Sequence, residues 1–313
     1  SNIIGITDRH IRRLIVNYDT YGDISLVSNR RGKPSNRAYS DEFKTKVINI
    51  VRVKYYDFGP TFAAEKLLEL DGIKINHETL RIWMTQEGIH KSKTRSKPRI
   101  HQTRDRRECF GELIQIDGSH HDWFEGRRDK CCLLVFVDDA TSTLLYCRFE
   151  EAETTQGYFR AVKDSISIYG KPLTYYSDKF GVFRVNQPCA EPSETQFQRA
   201  MRELNIELIC ANSPQAKGRV ERANQTLQDR LIKEMRLRDI SSIEEANNFL
   251  PEFIEKYNTK LAKLPRSNQD AHRPVNITDE QLNYALSKNF CASRIFINHN
   301  FNFWSNSTFV THN

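Results

Sequence analysis

Three acidic residues stand in settings suited to chemistry on a phosphate. Asp117 lies in Ile-Gln-Ile-Asp-Gly-Ser, Asp178 in Tyr-Tyr-Ser-Asp-Lys, and Glu221 in Lys-Gly-Arg-Val-Glu-Arg-Ala-Asn. A set of carboxylates around one cleft would serve a metal-dependent nuclease. Each aspartate follows a short apolar run and is expected where a strand ends. Glu221 is expected near the start of an amphipathic helix. There Val220, Ala223, Leu227 and Leu231 form the packing stripe at steps of three and four, and Glu221, Asn224 and Gln228 the adjacent polar one.

Other carboxylates compete for the role: Asp122, Asp129, Asp138, Asp139 and Glu153. Asp138 and Asp139 precede Ala-Thr-Ser between two strand-like runs, where aspartate commonly supports a turn. Glu153 sits at an expected helix start, where its charge suits the dipole. His120 and His121 are adjacent on a strand and point to opposite faces, so they do not share one ion without a bend. A single histidine near the acids, contacting phosphate or placing water, remains the alternative to a plain hairpin residue. Lys217, Arg219 and Arg222 flank Glu221 and read either as phosphate contacts or as solvated surface.

Around these residues the pattern is mixed α/β. Strands are expected near 113–117, 131–138 and 143–149 as an antiparallel meander. A helix near 153–169, a strand near 173–177, a helix near 193–204 and a strand near 206–210 follow, and then the helix that starts near 216. One more helix reads over 241–257. After Pro274 come a helix-like 278–287 and an alternating tail that could begin a small β domain.

The chain has 313 residues, enough for two or three domains, and a net charge of +7. Residues 1–110 hold 22 Lys and Arg against 13 Asp and Glu, whereas the remaining 203 hold 25 against 27. The whole positive surplus therefore sits in the N-terminal third, which points to a polyanion-binding arm. The longest apolar run, Cys131 to Val137, is too short to cross a bilayer, so a cytoplasmic, nucleoid-associated protein without a membrane partner is expected. Seven cysteines without a zinc-type spacing read as reduced core thiols.

The N-terminal third is helical. Residues 1–27 resemble the second helix of a helix-turn-helix, starting at Thr7, with Ile11, Leu14, Ile15 and Tyr18 on one face and Arg9, Arg12 and Arg13 outward, as if the chain were a piece of something longer. Residues 28–38 form a polar linker in which Arg30, Arg31 and Lys33 read as an AT-hook-like minor-groove arm or as plain linker. Helices near 40–56, 60–71 and 76–87 make a second unit over 39–90. In its last helix Asn76 caps the start, Leu80, Trp83 and Met84 face a small core, and His77, Thr79, Arg81 and Thr85 face away, as in a helix-turn-helix. A small helical domain with no DNA role is the bland alternative. Residues 91–110 are a second basic linker, with Lys91, Lys93, Arg95 and Lys97 able to track along phosphates.

The order of elements resembles the ribonuclease-H-like fold. More specifically, the stretch from Glu112 to Asn258 resembles the integrase core of insertion-sequence transposases and retroviral integrases, the superfamily named for its Asp-Asp-Glu triad. The runs at 114–124, 137–142, 176–179 and 212–224 carry the likeness, and the nearest group is the ISNCY-type transposases. The resemblance implies a mixed five-stranded sheet over 111–262, with 263–313 as an extension. It implies that Asp117, Asp178 and Glu221 hold two Mg2+ (or Mn2+) ions, and that Gln215, Lys217, Arg219 and Arg222 lie near the DNA end. It implies double-stranded DNA as partner, both terminal inverted repeats and target, and a homo-oligomer, at least a dimer, on paired ends. The 42 residues between Asp178 and Glu221 exceed the retroviral spacing, and a loop at 180–195 accounts for the excess. Two rivals remain: a DNA-binding regulator of this fold without catalysis, and a structure-selective or RNA–DNA hybrid nuclease.

Overall fold

The apolar run at 131–137 becomes a strand buried on both faces in the computed structural model of the protein. The structure describes residues 5–27, 31, 38–91, 104–178, 180–184, 194–211 and 218–287. The chain divides into two units, residues 1–95 and 96–313.

In the first unit, helix α1 (Asp8–Tyr21) follows Thr7 and stops at Gly22, whose φ of 64° favours glycine. None of its residues is buried, and Ile15, Val16 and Tyr18 are exposed. A separate three-helix cluster holds α2 (Asp41–Lys54), α3 (Pro60–Asp71) and α4 (His77–Gln86). Their ends follow ordinary rules. Ser40 caps α2 through the amide of Phe43, Pro60 opens α3, and Asn76 caps α4 through the amide of Glu78. Val47, Val51, Tyr55, Phe62, Leu67, Leu80 and Met84 form the small core. Trp83 is only half-buried and meets Tyr39 and Phe43 edge-on, with centroids 5.6 and 6.4 Å away.

The second unit is built on the expected mixed five-stranded sheet, in the order β3-β2-β1-β4-β5. Strands β1 (Leu113–His121), β2 (Cys131–Asp138) and β3 (Leu144–Glu150) form the antiparallel meander. Strands β4 (Thr174–Ser177) and β5 (Glu207–Cys210) add parallel to it. Because helices cover both faces, β2 is apolar from Cys131 to Val137 and does not alternate. Cys132, Leu134 and Phe136 pack with α5 (Thr155–Tyr169) and α6 (Gln196–Glu203). Cys131, Leu133, Val135 and Val137 pack with α7 (Gly218–Leu237) and α8 (Ile243–Leu261). The α7 stripe of Val220, Ala223, Leu227 and Leu231 lies in that second layer.

Residues 263–287 return across the sheet. They bridge Lys171 through Arg273 and place Leu282 and Ala285 of α9 (Asp279–Ala285) in the first core layer. The alternating tail beyond 287 lies outside the described residues. No helix among them is long and apolar enough to cross a membrane, and Cys109, Cys131, Cys132, Cys147 and Cys210 are free thiols.

Strand β3 is an edge, and two asparagines of α8 occupy its backbone groups. Asn258 accepts from the Leu144 amide at 2.8 Å and donates to the Leu144 carbonyl at 2.9 Å. Asn247 does the same for Phe149 at 2.8 and 3.1 Å. Side-chain amides thus stand in for a sixth strand and blunt the edge. Asn258→Ala should cost about 1–3 kcal/mol by leaving half-buried backbone groups unpaired. Urea unfolding should show a lower midpoint with an unchanged slope.

Candidate active site

The site begins where the sheet becomes uneven. Strand β4 pairs with β1 only over Leu113–Gln115, in the register Gln115 to Tyr176. Carrying that parallel register forward two residues sets Asp117 opposite Asp178. Strand β4 ends at Ser177, so both aspartates open on one notch at the carboxyl end of the parallel pair. Asp117 itself is not at a strand end, as its apolar run suggested. Antiparallel pairing with β2 carries β1 on to His121, and only the β4 side of the strand is open.

Helix α7 is fastened over this notch by two contacts. The buried Gln115 side chain accepts from the Val220 amide at 3.0 Å. One helical turn later, the Asn224 Nδ2 donates to the Asp117 Oδ2 at 2.7 Å. Glu221 follows Val220 and lies three residues before Asn224 in the first turn of α7, between the two points at which the helix is fastened to β1. The positive end of the helix dipole is there too. The Glu221 side chain is exposed.

A fourth acid joins from the other sheet face. Glu153 precedes the N-cap Thr154 of α5, as the sequence suggested, but its carboxyl is turned onto the sheet. It lies against Gly118, where any Cβ would collide with it. Tyr158 donates to its Oε1 at 2.7 Å, and the His120 Nε2 stands 3.4 Å from its Oε2. Burial pushes the Glu153 carboxyl above its ordinary value, and the negative charges of Asp178 and Asp117 push it further. The glycine inside a strand was the available signal, since such a residue often marks a close approach. His121 points away and meets the Trp123 ring at 5.6 Å, so the two histidines do part.

The donor set fits a hard divalent cation. Hard carboxylate oxygens line the notch, the charges of Asp178 and Asp117 add to burial in raising the Glu153 carboxyl, and the buried Asn224 Oδ1 lacks a protein partner. The three notch acids are not drawn into a closed cage. Among the described residues, the donor atoms that all lie within 4.8 Å of one another are those of His120, Cys132 and Glu153.

A family described as Integrase core domain matches residues 202–261, the stretch from the end of α6 through α7 and α8. The chain is 47% identical over 290 residues to a Sinorhizobium fredii protein named "Putative transposase y4bF", covering 92% of this chain and 63% of that one. It is 29% identical over 296 residues to "Transposase for insertion sequence IS1202" of Streptococcus pneumoniae, covering 82% of this chain and 63% of that one. The chain thus spans a little under two thirds of the length of these relatives. Among solved structures it is similar to the HTLV-2 integrase catalytic core domain in complex with magnesium, at 22% identity and TM-score 0.38, covering 49% of this chain and 90% of that one. It is also similar to a simian T-cell lymphotropic virus intasome, at 18% identity and TM-score 0.40, covering 70% and 74%.

The second unit also gathers basic residues away from solvent. Asp139 is fully buried and accepts from Arg104, from the Arg107 amide at 2.9 Å and from Gln115 Nε2 at 2.8 Å. Arg219, read from sequence as a phosphate contact, turns inward to this node. Its side chain is 17% exposed, its Nε lies 3.6 Å from Asp139, and its Nη2 donates to the Arg104 carbonyl at 3.0 Å. The buried acid claims it. Arg222 is exposed beside Glu221. In the N-terminal unit, Arg9, Arg12, Arg13, Arg31, His77 and Lys91 are exposed and Thr79 half-buried. Arg81 pairs with Glu78 on the face of α4 at 2.6 Å. Arg30, Lys33, Lys93, Arg95, Lys97, Gln215 and Lys217 lie outside the described residues.

The raised Glu153 carboxyl has a signed consequence. The folded state binds its proton more tightly than the unfolded state, so stability falls as pH rises through the carboxylate range toward the folded value. Glu153→Gln removes the buried charge and keeps an acceptor for Tyr158. The metal-free variant should melt above wild type at neutral pH, and the gap should close below the ordinary carboxylate range. Calorimetry across pH without divalent cations checks this.

Proposed function

We propose that this chain is the DNA-binding and catalytic portion of a transposase, one that binds its element's terminal inverted repeats, frees a 3′ end and joins it to target DNA. Asp117, Asp178 and Glu221 are the acids that hold magnesium, or manganese, as two ions. When bound, such ions activate the attacking oxygen, stabilise the leaving one and neutralise the phosphate. What supports this reading above all is the double fastening of α7 to β1 by Gln115 and Asn224, with Glu221, 104 residues after Asp117 in the chain, between those two points on the helix.

The remaining side chains have defined work in this scheme. Asn224 orients the Asp117 carboxylate by donating to its Oδ2. Gln115 fixes the first turn of α7 and hence the height of Glu221 over the notch. Exposed Arg222, with Lys217 and Gln215, meets the phosphates of the DNA end. Arg219 contributes indirectly, by tying α7 to the Asp139 node. Helix α4, with His77, Thr79 and Arg81, is the base-reading element, and Arg9, Arg12, Arg13, Arg30, Arg31, Lys33, Lys91, Lys93, Arg95 and Lys97 supply sequence-independent phosphate contacts. Two element ends must meet, so the working unit is a homo-oligomer, at least a dimer.

Labelled DNA from the flanks of the gene, incubated with the protein and Mg2+, separates the readings. Nicking with strand joining supports the transposase, binding alone a regulator, and cleavage of hybrids or junctions a nuclease. Asp117→Ala and Glu221→Ala should each lower nicking by about a thousandfold, equivalent to about 4 kcal/mol, with end binding retained. Metal-dependent nicking that persists in either variant would remove the assignment.

A further inference from the structure

We propose that His120, Cys132 and Glu153 form a second metal site, one for a thiophilic divalent cation of the zinc class. The site is assembled from three elements. His120 and Cys132 are register partners on β1 and β2, and Glu153 is delivered by the start of α5. Their donor atoms, an imidazole nitrogen, a thiol sulfur and a carboxylate oxygen, all lie within 4.8 Å of one another.

Each donor is set for the task. Tyr158 occupies the Glu153 Oε1 at 2.7 Å, which leaves Oε2 facing His120. Gly118 makes room for that carboxyl, because a side chain there would displace it. Cys132 is fully buried on a paired strand and cannot swing away. His120 is exposed, so the cluster is open to solvent on one side for ion arrival and for a fourth, water ligand. Nitrogen and sulfur donors select zinc over magnesium, which prefers an all-oxygen shell. The three donors are therefore matched to a different ion from the notch acids. On binding, the Cys132 S–H bond breaks, a metal–sulfur bond forms and the proton leaves to water.

This site would act on the first one through charge. Glu153 lies within the field of Asp117 and Asp178, so a dication on Glu153 lowers the negative potential that draws magnesium to the notch. Zinc would therefore oppose the magnesium-dependent reaction without blocking DNA binding. This consequence rests on the proposed function; the site itself does not.

Cobalt(II) is the probe, added to the full chain in excess Mg2+. We expect one equivalent to bind with a thiolate-to-cobalt charge-transfer band in the near ultraviolet, and zinc to bleach it. Cys132→Ala should abolish the band. His120→Ala, a surface change that leaves the core intact, should weaken binding by about tenfold or more. Cobalt binding without a thiolate band, or a band unchanged in both variants, would overturn the site. In the nicking assay, zinc should raise the Mg2+ needed for half-maximal rate in wild type and not in His120→Ala. A bleached band with an unchanged Mg2+ requirement would overturn the coupling. A wild type that never nicks would count against the transposase reading and leave the cobalt result standing.

Discussion

The acid centre depends on one buried amide. Gln115 accepts from the backbone of α7 with its oxygen and donates to Asp139 with its nitrogen, so a single side chain joins the strand of Asp117, the helix of Glu221 and a buried carboxylate. A helix start has orphan amides that must find partners. Here one of them is satisfied across the fold, and the helix cannot slide by a residue without losing it. Asn224 supplies the second point of attachment a turn later, on Asp117 itself. Two points fix rotation as well as height, which a packing stripe alone would leave loose.

The second constraint is a difference in strand length. Strand β1 continues past the last residue that β4 can pair, and the notch is the space where β4 is missing. The Glu153 carboxyl, raised first by burial and then by the charges of Asp178 and Asp117, feels the acids placed there from the other sheet face. Repulsion of this kind is stored by the fold and relieved by a cation. The α7 dipole contributes in the same direction at Glu221. Sheet topology thus sets the location of the charge, and the hydrogen bonds on β1 set its alignment.

Much of this was legible in the residues. The apolar runs marked the strands, and the steps of three and four marked α7, because each reports burial on a known period. The Asn76 cap was visible for the same local reason. What stayed hidden depended on distant partners. Glu153 looked like an ordinary helix-start acid, and nothing local to it says that Gly118 leaves a space across the sheet. Arg219 looked like one of three cations around a metal-binding acid, yet its neighbour in space is Asp139, eighty residues earlier and itself read as a turn residue. The end of β1 was misplaced because the apolar pattern stops at Asp117, while backbone pairing with β2 does not need apolar side chains to continue.

The Asp139 node adds a link between segments. A carboxylate with no exposure is tolerable only while its donors stay in place, and removing one partner of a buried ion pair costs about 3–5 kcal/mol. Two of those donors, Arg104 and the Arg107 amide, belong to the end of the basic stretch that follows the helical unit. Arg106 holds the same turn through the Asp139 and Ala140 carbonyls at 3.2 and 3.1 Å and Ser142 at 2.9 Å. The other donor, Gln115, holds α7. Displacing residues 104–107 therefore disturbs the same node that holds the first turn of α7, and does so only by breaking contacts that are individually expensive. Within the second unit, then, Arg104 and the Arg107 amide are held to the same buried carboxylate that Gln115 links to α7.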